Sequence, residues 1–216
     1  MRNSDVSLLL LLVLVVSGWA VGKPKPTLGL YFPDLTYKMG LKDPELKEGE
    51  YEVRIWQKCE LCFGEAHELY LLKKTRKMLK LSVYTIHYTG PKFKRAKRVN
   101  TCKLSSAELW NQLIQKGILT LPDQSMIDNE LHPKHQKDST WTMVEADGTI
   151  SVHARKTKSS FIVSDGESYY FETISSTANR MYMYSNPYVY FRNRPDIVEL
   201  KNVVAILDKL KQVINR

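Results

Sequence analysis

The sequence predicts an α+β fold: an antiparallel sheet of about seven or eight short strands packed against a long C-terminal helix and a short middle helix. Three observations carry this expectation. Strand-length segments alternate apolar and polar residues and follow one another too closely for helical crossovers, which makes the connections antiparallel. One bounded stripe near the middle, Leu109, Trp110, Leu113 and Ile114, has helical spacing. A longer stripe, Ile197, Leu200, Val203, Val204, Leu207, Leu210 and Ile214, repeats at three and four residues to the end of the chain.

The chain opens with Met1-Arg2, an apolar run over residues 8–16 and small residues up to Ala20, the parts of a secretory signal peptide cleaved after Ala20. The run is about half of the roughly 20 apolar residues a spanning helix needs, and the mature chain carries no transmembrane span. Residues 1–20 are therefore read as leader, 21–50 as an extended or irregular segment, and 51–216 as a single α+β domain. Lys23-Pro-Lys-Pro26 is extended because each proline fixes φ and biases its predecessor. Residues 28–50 carry Pro33, Gly40, Pro44 and Gly49 and show no long period, which leaves room for one short turn.

Tyr51, Val53 and Ile55 alternate with polar neighbours, the pattern of a half-buried strand. Two further strands, over residues 68–74 and 78–88, flank a charged turn. Ser105 with Glu108 makes a capping box ahead of the middle helix, and Gly117 ends it. Residues 123–139 are polar and long for a connection in a compact domain, a candidate mobile or functional loop. Residues 141–145 and 150–154 form a hairpin over Asp147-Gly148, expected as a type I′ turn. The same device pairs residues 161–163 with 169–173 across Asp165-Gly166, a strand over 180–184 follows, and Pro195-Asp196 opens the last helix.

Glu52-Val-Arg-Ile-Trp56, Leu109-Trp110, Leu121-Pro122-Asp123, Asp165-Gly166 with Tyr169-Tyr-Phe-Glu172, Tyr182-Met-Tyr-Ser-Asn-Pro187 and the final helix occur in this order. That series resembles a family of small uncharacterised exported proteins of Bacteroidota. The resemblance spans most of the mature chain and implies a bacterial exported protein. The family has no established activity, so it gives no residue a role. The cysteines and the basic run lie outside the pattern.

The formal net charge of +9 favours acidic partners and says nothing of fold. Lys92, Lys94, Arg95, Lys97 and Arg98, with Lys103 beyond them, form a basic run. It is either a solvated edge whose lysines block sheet-to-sheet pairing or a site for an acidic glycan, lipid headgroup or protein partner; nucleic acid is not expected. Tyr182 and Tyr184 share one strand face and are candidate binding aromatics, with core packing as the competing use.

Three cysteines, Cys59, Cys62 and Cys102, allow one disulfide in an oxidising compartment. The expected bond joins Cys102 to Cys59 or Cys62, and the residues leave that choice open. A redox Cys59-x-x-Cys62 pair would need its first thiol at a helix N-terminus, but the motif lies between strands. A zinc site would need Cys102 and either His67 or His87 as further ligands, and no metal or cofactor is expected. His132-x-x-His135 sits in polar loop sequence. No nucleophile elbow, metalloprotease helix or phosphate-cradling glycine loop occurs. The expected function is non-enzymatic, an exported periplasmic, envelope-associated or extracellular binding protein. The competing class is a hydrolase assembled from loops around carboxylates such as Glu145, Asp147, Glu167 and Glu172, or around histidines.

Overall fold

A strand that alternates side chains can bury both faces only if something covers each, and here two different things do. The computed structural model describes residues 30–104, 107–132, 140–154, 163 and 165–214, and the side chains of 101–104 lie outside that description. The leader, the Lys23–Pro26 linker, Ser105 of the capping box, the strand expected at 161–162 and His135 also fall outside the described residues.

A short helix α1 (Pro33–Lys38) precedes four strands in meander, β1 (Tyr51–Cys59), β2 (Glu68–Lys74), β3 (Leu79–Thr89) and β4 (Lys92–Leu104). Then come α2 (Ala107–Gln115), a 3-10 turn (Gln124–Ile127), α3 (Asp128–Leu131) and the hairpin β5 (Thr140–Val144) and β6 (Ile150–Ala154). The chain closes with β7 (Glu167–Ser175), β8 (Asn179–Ser185), α4 (Pro187–Asn193) and α5 (Val198–Ile214). The main sheet is antiparallel in the order β4-β3-β2-β1-β7-β8, while β5 and β6 form a sheet of their own. Helices, antiparallel strands and a covering C-terminal helix give the α+β class expected from sequence.

One face carries Val53, Ile55, Tyr70, Leu72, Leu81, Val83, Tyr169, Phe171, Tyr182 and Tyr184, packed under α2 and α5. From α5, Leu200, Val203, Val204, Ile206, Leu207 and Leu210 are buried, each contributing roughly 1.5–3 kcal/mol on full burial. The helix begins at Val198, three residues after the expected Pro195, although Ile197 already packs in the core. Gly117, at φ 80°, ends α2 as expected: its N–H reaches the Ile114 carbonyl at 2.8 Å and the Ile118 N–H reaches Leu113 at 3.1 Å. Ile114, expected in the buried stripe, is exposed.

The other face of the sheet is where expectation and structure part. β1 is not half-buried: Glu52, Arg54 and Trp56, on its second face, are sealed as fully as Val53 and Ile55. Phe32, Leu35, Met39 and Leu41 pack there with Trp56, Leu69, Leu71 and Ile86. The segment read as irregular thus acts as a strap across the sheet.

Two local expectations are also corrected, and a further short helix follows β8. β7 has β1 on one edge and β8 on the other, so its edges leave no place for the hairpin expected between 161–163 and 169–173. Asn186 turns left-handed at φ 48° and Pro187 starts α4, so Tyr188, Tyr190 and Phe191 are helical. The β5–β6 connection closes with the Glu145 N–H on the Thr149 carbonyl at 2.8 Å and only Gly148 at positive φ, a three-residue loop in place of a type I′ turn.

Candidate anion-binding face

The strap face owes its character to cross-strand register. Glu52 lies opposite Lys73, Lys73 opposite Lys80, and Lys80 opposite Lys103, so three lysines stand in one row across β2, β3 and β4. At about 4.8 Å per strand the outer two are roughly 10 Å apart at their backbones. Like charges directly opposite destabilise a sheet unless something neutralises them. Lys73 has a partner, Glu52, at 2.9 Å. Among the described residues, no carboxylate pairs with Lys42, Lys80 or Arg98.

These cations border a depression of about 320 Å³ lined by Gly40, Leu41, Lys42, Leu71, Lys73, Lys80, Ser82 and Tyr84. Ser82 and Leu71, both buried, lie among its lining residues. Arg98 stands opposite Tyr84 in register and extends the basic border toward the sheet edge.

Beneath the strap lies a buried ionic cluster. Arg54 Nε donates to Glu52 Oε1 at 2.7 Å, and Arg54 Nη2 donates to the Lys42 carbonyl at 3.1 Å. Glu172, opposite Arg54 in register, accepts the Tyr31 N–H at 2.8 Å. Burial pushes its carboxyl above the usual value more strongly than the Trp56 indole, the Tyr31 N–H and the Arg54 charge pull it down. Burial, with nearby Asp123, Tyr170 and Glu172, raises the Tyr31 hydroxyl to about 12. The guanidinium fixes the Lys42 carbonyl and so holds one rim of the depression in position.

The sequence-expected cations are brought together only in part. All five lie on β4, an edge strand, and alternation divides them. Arg98 faces the strap side, opposite Tyr84, whereas Arg95 and Lys97 lie opposite His87 and Thr85 on the helix side. Lys92 pairs with Thr89, and Lys94 is the extra residue at a bulge. Lys42, Lys73 and Lys80 were missed by the sequence reading. The signal was there in Lys73 and Lys80, which a hairpin over the charged turn sets opposite each other.

Tyr182 and Tyr184 are fully buried, and their hydroxyls donate to the Ile118 and Pro122 carbonyls at 2.7 and 2.8 Å. Neither presents a surface to a ligand in this structure. The loop expected over 123–139 begins as a clamp on β8: Asp123 Oδ2 accepts the Met183 N–H at 2.8 Å and Gln124 Oε1 the Ser185 N–H at 2.7 Å. Burial works against the Asp123 charge, but bonds from Ser125 and Met183 outweigh it and hold the carboxyl below its usual value.

Cys59 bonds to Cys62, not to Cys102. Cys102 pairs with Leu81 on β4, three strands from β1, a separation of about 14 Å that a disulfide's Cα spacing cannot bridge.

The carboxylates considered for hydrolysis are dispersed. Glu172 is sealed under the strap, Glu167 accepts the Tyr169 hydroxyl at 2.7 Å on the helix side, and Glu145 and Asp147 belong to the separate hairpin. On that hairpin Ser151 Oγ lies 2.6 Å from Glu145 Oε1 and 3.0 Å from His153 Nε2. Acid and imidazole both address the hydroxyl, so the acid does not orient the base as a relay requires. Among the described residues, no group of three or more His, Cys, Asp or Glu is arranged for a metal, and no helix is long and apolar enough to cross a membrane.

No protein-family model, curated protein or solved structure matches the chain.

Proposed function

We propose that this is an exported, non-enzymatic binding protein whose strap face holds an acidic glycan. The observation that carries the reading is the depression lined by Lys42, Lys73, Lys80 and Tyr84, with Lys103 opposite Lys80 and Arg98 opposite Tyr84 in backbone register on β4. Lys73 spends its charge on Glu52, but Lys80 and Lys42 have no carboxylate partner among the described residues, which favours a ligand that brings its own negative charge. A half-buried tyrosine in the lining suits a sugar ring, offering rigid contact area. The leader-like first 20 residues and the Cys59–Cys62 disulfide support export into an oxidising compartment.

The test is calorimetric titration with a sulfated oligosaccharide, a uronate oligosaccharide and anionic vesicles at increasing salt. The expected result is binding to an oligosaccharide that weakens as salt screens the charges. Lys73→Gln and Lys80→Gln are each expected to lower affinity roughly two- to fivefold, since an exposed ion pair is worth up to about 1 kcal/mol. Binding to vesicles alone, or affinity indifferent to salt and to both substitutions, overturns the reading.

A further inference from the structure

We propose that the Cys59–Cys62 disulfide is a thiol–disulfide exchange site for apolar, cysteine-bearing polypeptide segments. The inference is independent of the anion reading, and it needs no helix-activated thiol in this chain, because the attacking thiolate is the partner's. Its starting point is that the fold holds this loop without the bond. The Glu60 N–H reaches the Gly166 carbonyl at 2.9 Å and the His67 N–H the Gln57 carbonyl at 2.7 Å. His67 is clamped at both ring nitrogens: Nδ1 accepts the Cys59 N–H at 3.4 Å, and Nε2 donates to the Phe63 carbonyl at 2.9 Å. Gly64 lies against the Tyr88 ring so closely that a Cβ there would come within 2.5 Å of three ring carbons. The Tyr88 hydroxyl donates to the Ala66 carbonyl at 2.8 Å. A bridge spanning three positions adds little to such a loop, because closure entropy is least for the shortest rings.

What surrounds the bond points outward. Cys62 is exposed, and its neighbours Leu61 and Phe63 are 78% and 70% exposed. Two large exposed apolar side chains flanking an exposed cysteine at a loop tip offer contact to an extended apolar segment. They would hold that segment's cysteine against Cys62. Accessible disulfides are the labile ones.

The step balances as an ordinary exchange. A thiolate of the partner attacks Cys62 Sγ, a mixed disulfide forms, and Cys59 Sγ leaves with the bonding pair and takes a proton from water. A second thiolate of the same partner then attacks the partner's sulfur in the mixed disulfide and releases Cys62. The partner is oxidised to a disulfide by two electrons, and Cys59 and Cys62 become thiols.

The experiment mixes the intact disulfide form with two reduced peptides, one carrying its cysteine between leucine and phenylalanine and one between serine and glycine. Exchange is followed by mass spectrometry, and the attacked sulfur is found by peptide mapping. The expected result is attack at Cys62 and at least tenfold faster exchange with the apolar peptide. Leu61→Ser with Phe63→Ser should remove that preference while leaving the rate with dithiothreitol unchanged, which separates docking from bond reactivity. Equal rates for the two peptides, attack at Cys59, no exchange, or a preference that survives the double substitution overturns the proposal.

Discussion

The two faces of one sheet are built on opposite principles. Under α5, β1 contributes Val53 and Ile55 to a continuous apolar core, where the Tyr182 and Tyr184 hydroxyls reach backbone carbonyls and the Tyr70 and Tyr169 hydroxyls reach Glu68 and Glu167. Under the strap, the alternate residues of the same strand are Glu52, Arg54 and Trp56, and the burial is as complete. The helix face tolerates hydrophobic exchange because its cohesion is non-directional. The strap face depends on Arg54 and Lys73 keeping Glu52 as their common partner. The difference teaches that sealing a strand's polar side is feasible when register supplies counter-charges: Lys73 to Glu52 from β2, and Glu172 opposite Arg54 from β7.

The largest expected contrast comes from Arg54→Leu, which strands Glu52 and Glu172 in a buried site and should cost about 3–5 kcal/mol in denaturant unfolding. Ile55→Val, one residue away on the helix face, should cost only about 0.5–1.5 kcal/mol. Similar losses at the two positions would break the distinction.

Much of the helix face was legible because apolar periodicity reports burial directly. The α5 stripe, the α2 boundary at Gly117 and the alternation of β1 all appear in the sequence for that reason. The strap face was not legible, because Glu52 and Arg54 look like solvent-facing alternation until a distant segment is known to cover them. Leu35 and Phe32 carry no period that would announce this, lying in a helix of six residues and its approach. β4 was legible only through its charge: the lysines and arginines allowed a solvated edge as one alternative, and the run does form an edge strand, but no apolar alternation marked its length. Of the proposed surface, only Arg98 and Lys103 were foreseen, since the row of lysines emerges from the pairing of three strands.

A smaller effect separates the faces by pH. Glu172 ordinarily titrates at 4.5 and is raised in the fold. Below 4.5 the folded and unfolded carboxyls are both protonated and the native state carries no penalty. As pH rises through the raised value, folding requires an ionised buried carboxylate and stability falls. Glu172→Gln should therefore unfold at a Tm a few degrees higher than the parent at pH 7, with the gain vanishing near pH 4 in thermal scans. A gain that is equal at both pH values would contradict burial of the charge. On the helix face, Tyr184→Phe should cost about 1 kcal/mol by leaving the Pro122 carbonyl without its donor, with no dependence on pH over the same range.

The central claim is that the strap face, and not the basic edge as a whole, receives the ligand. NMR titration of the lysine side chains with a sulfated oligosaccharide tests it most directly. The account predicts shifts concentrated at Lys42, Lys73 and Lys80, with little change at Lys92 and Lys97. Shifts spread evenly over all of these lysines, or confined to β4, would contradict it.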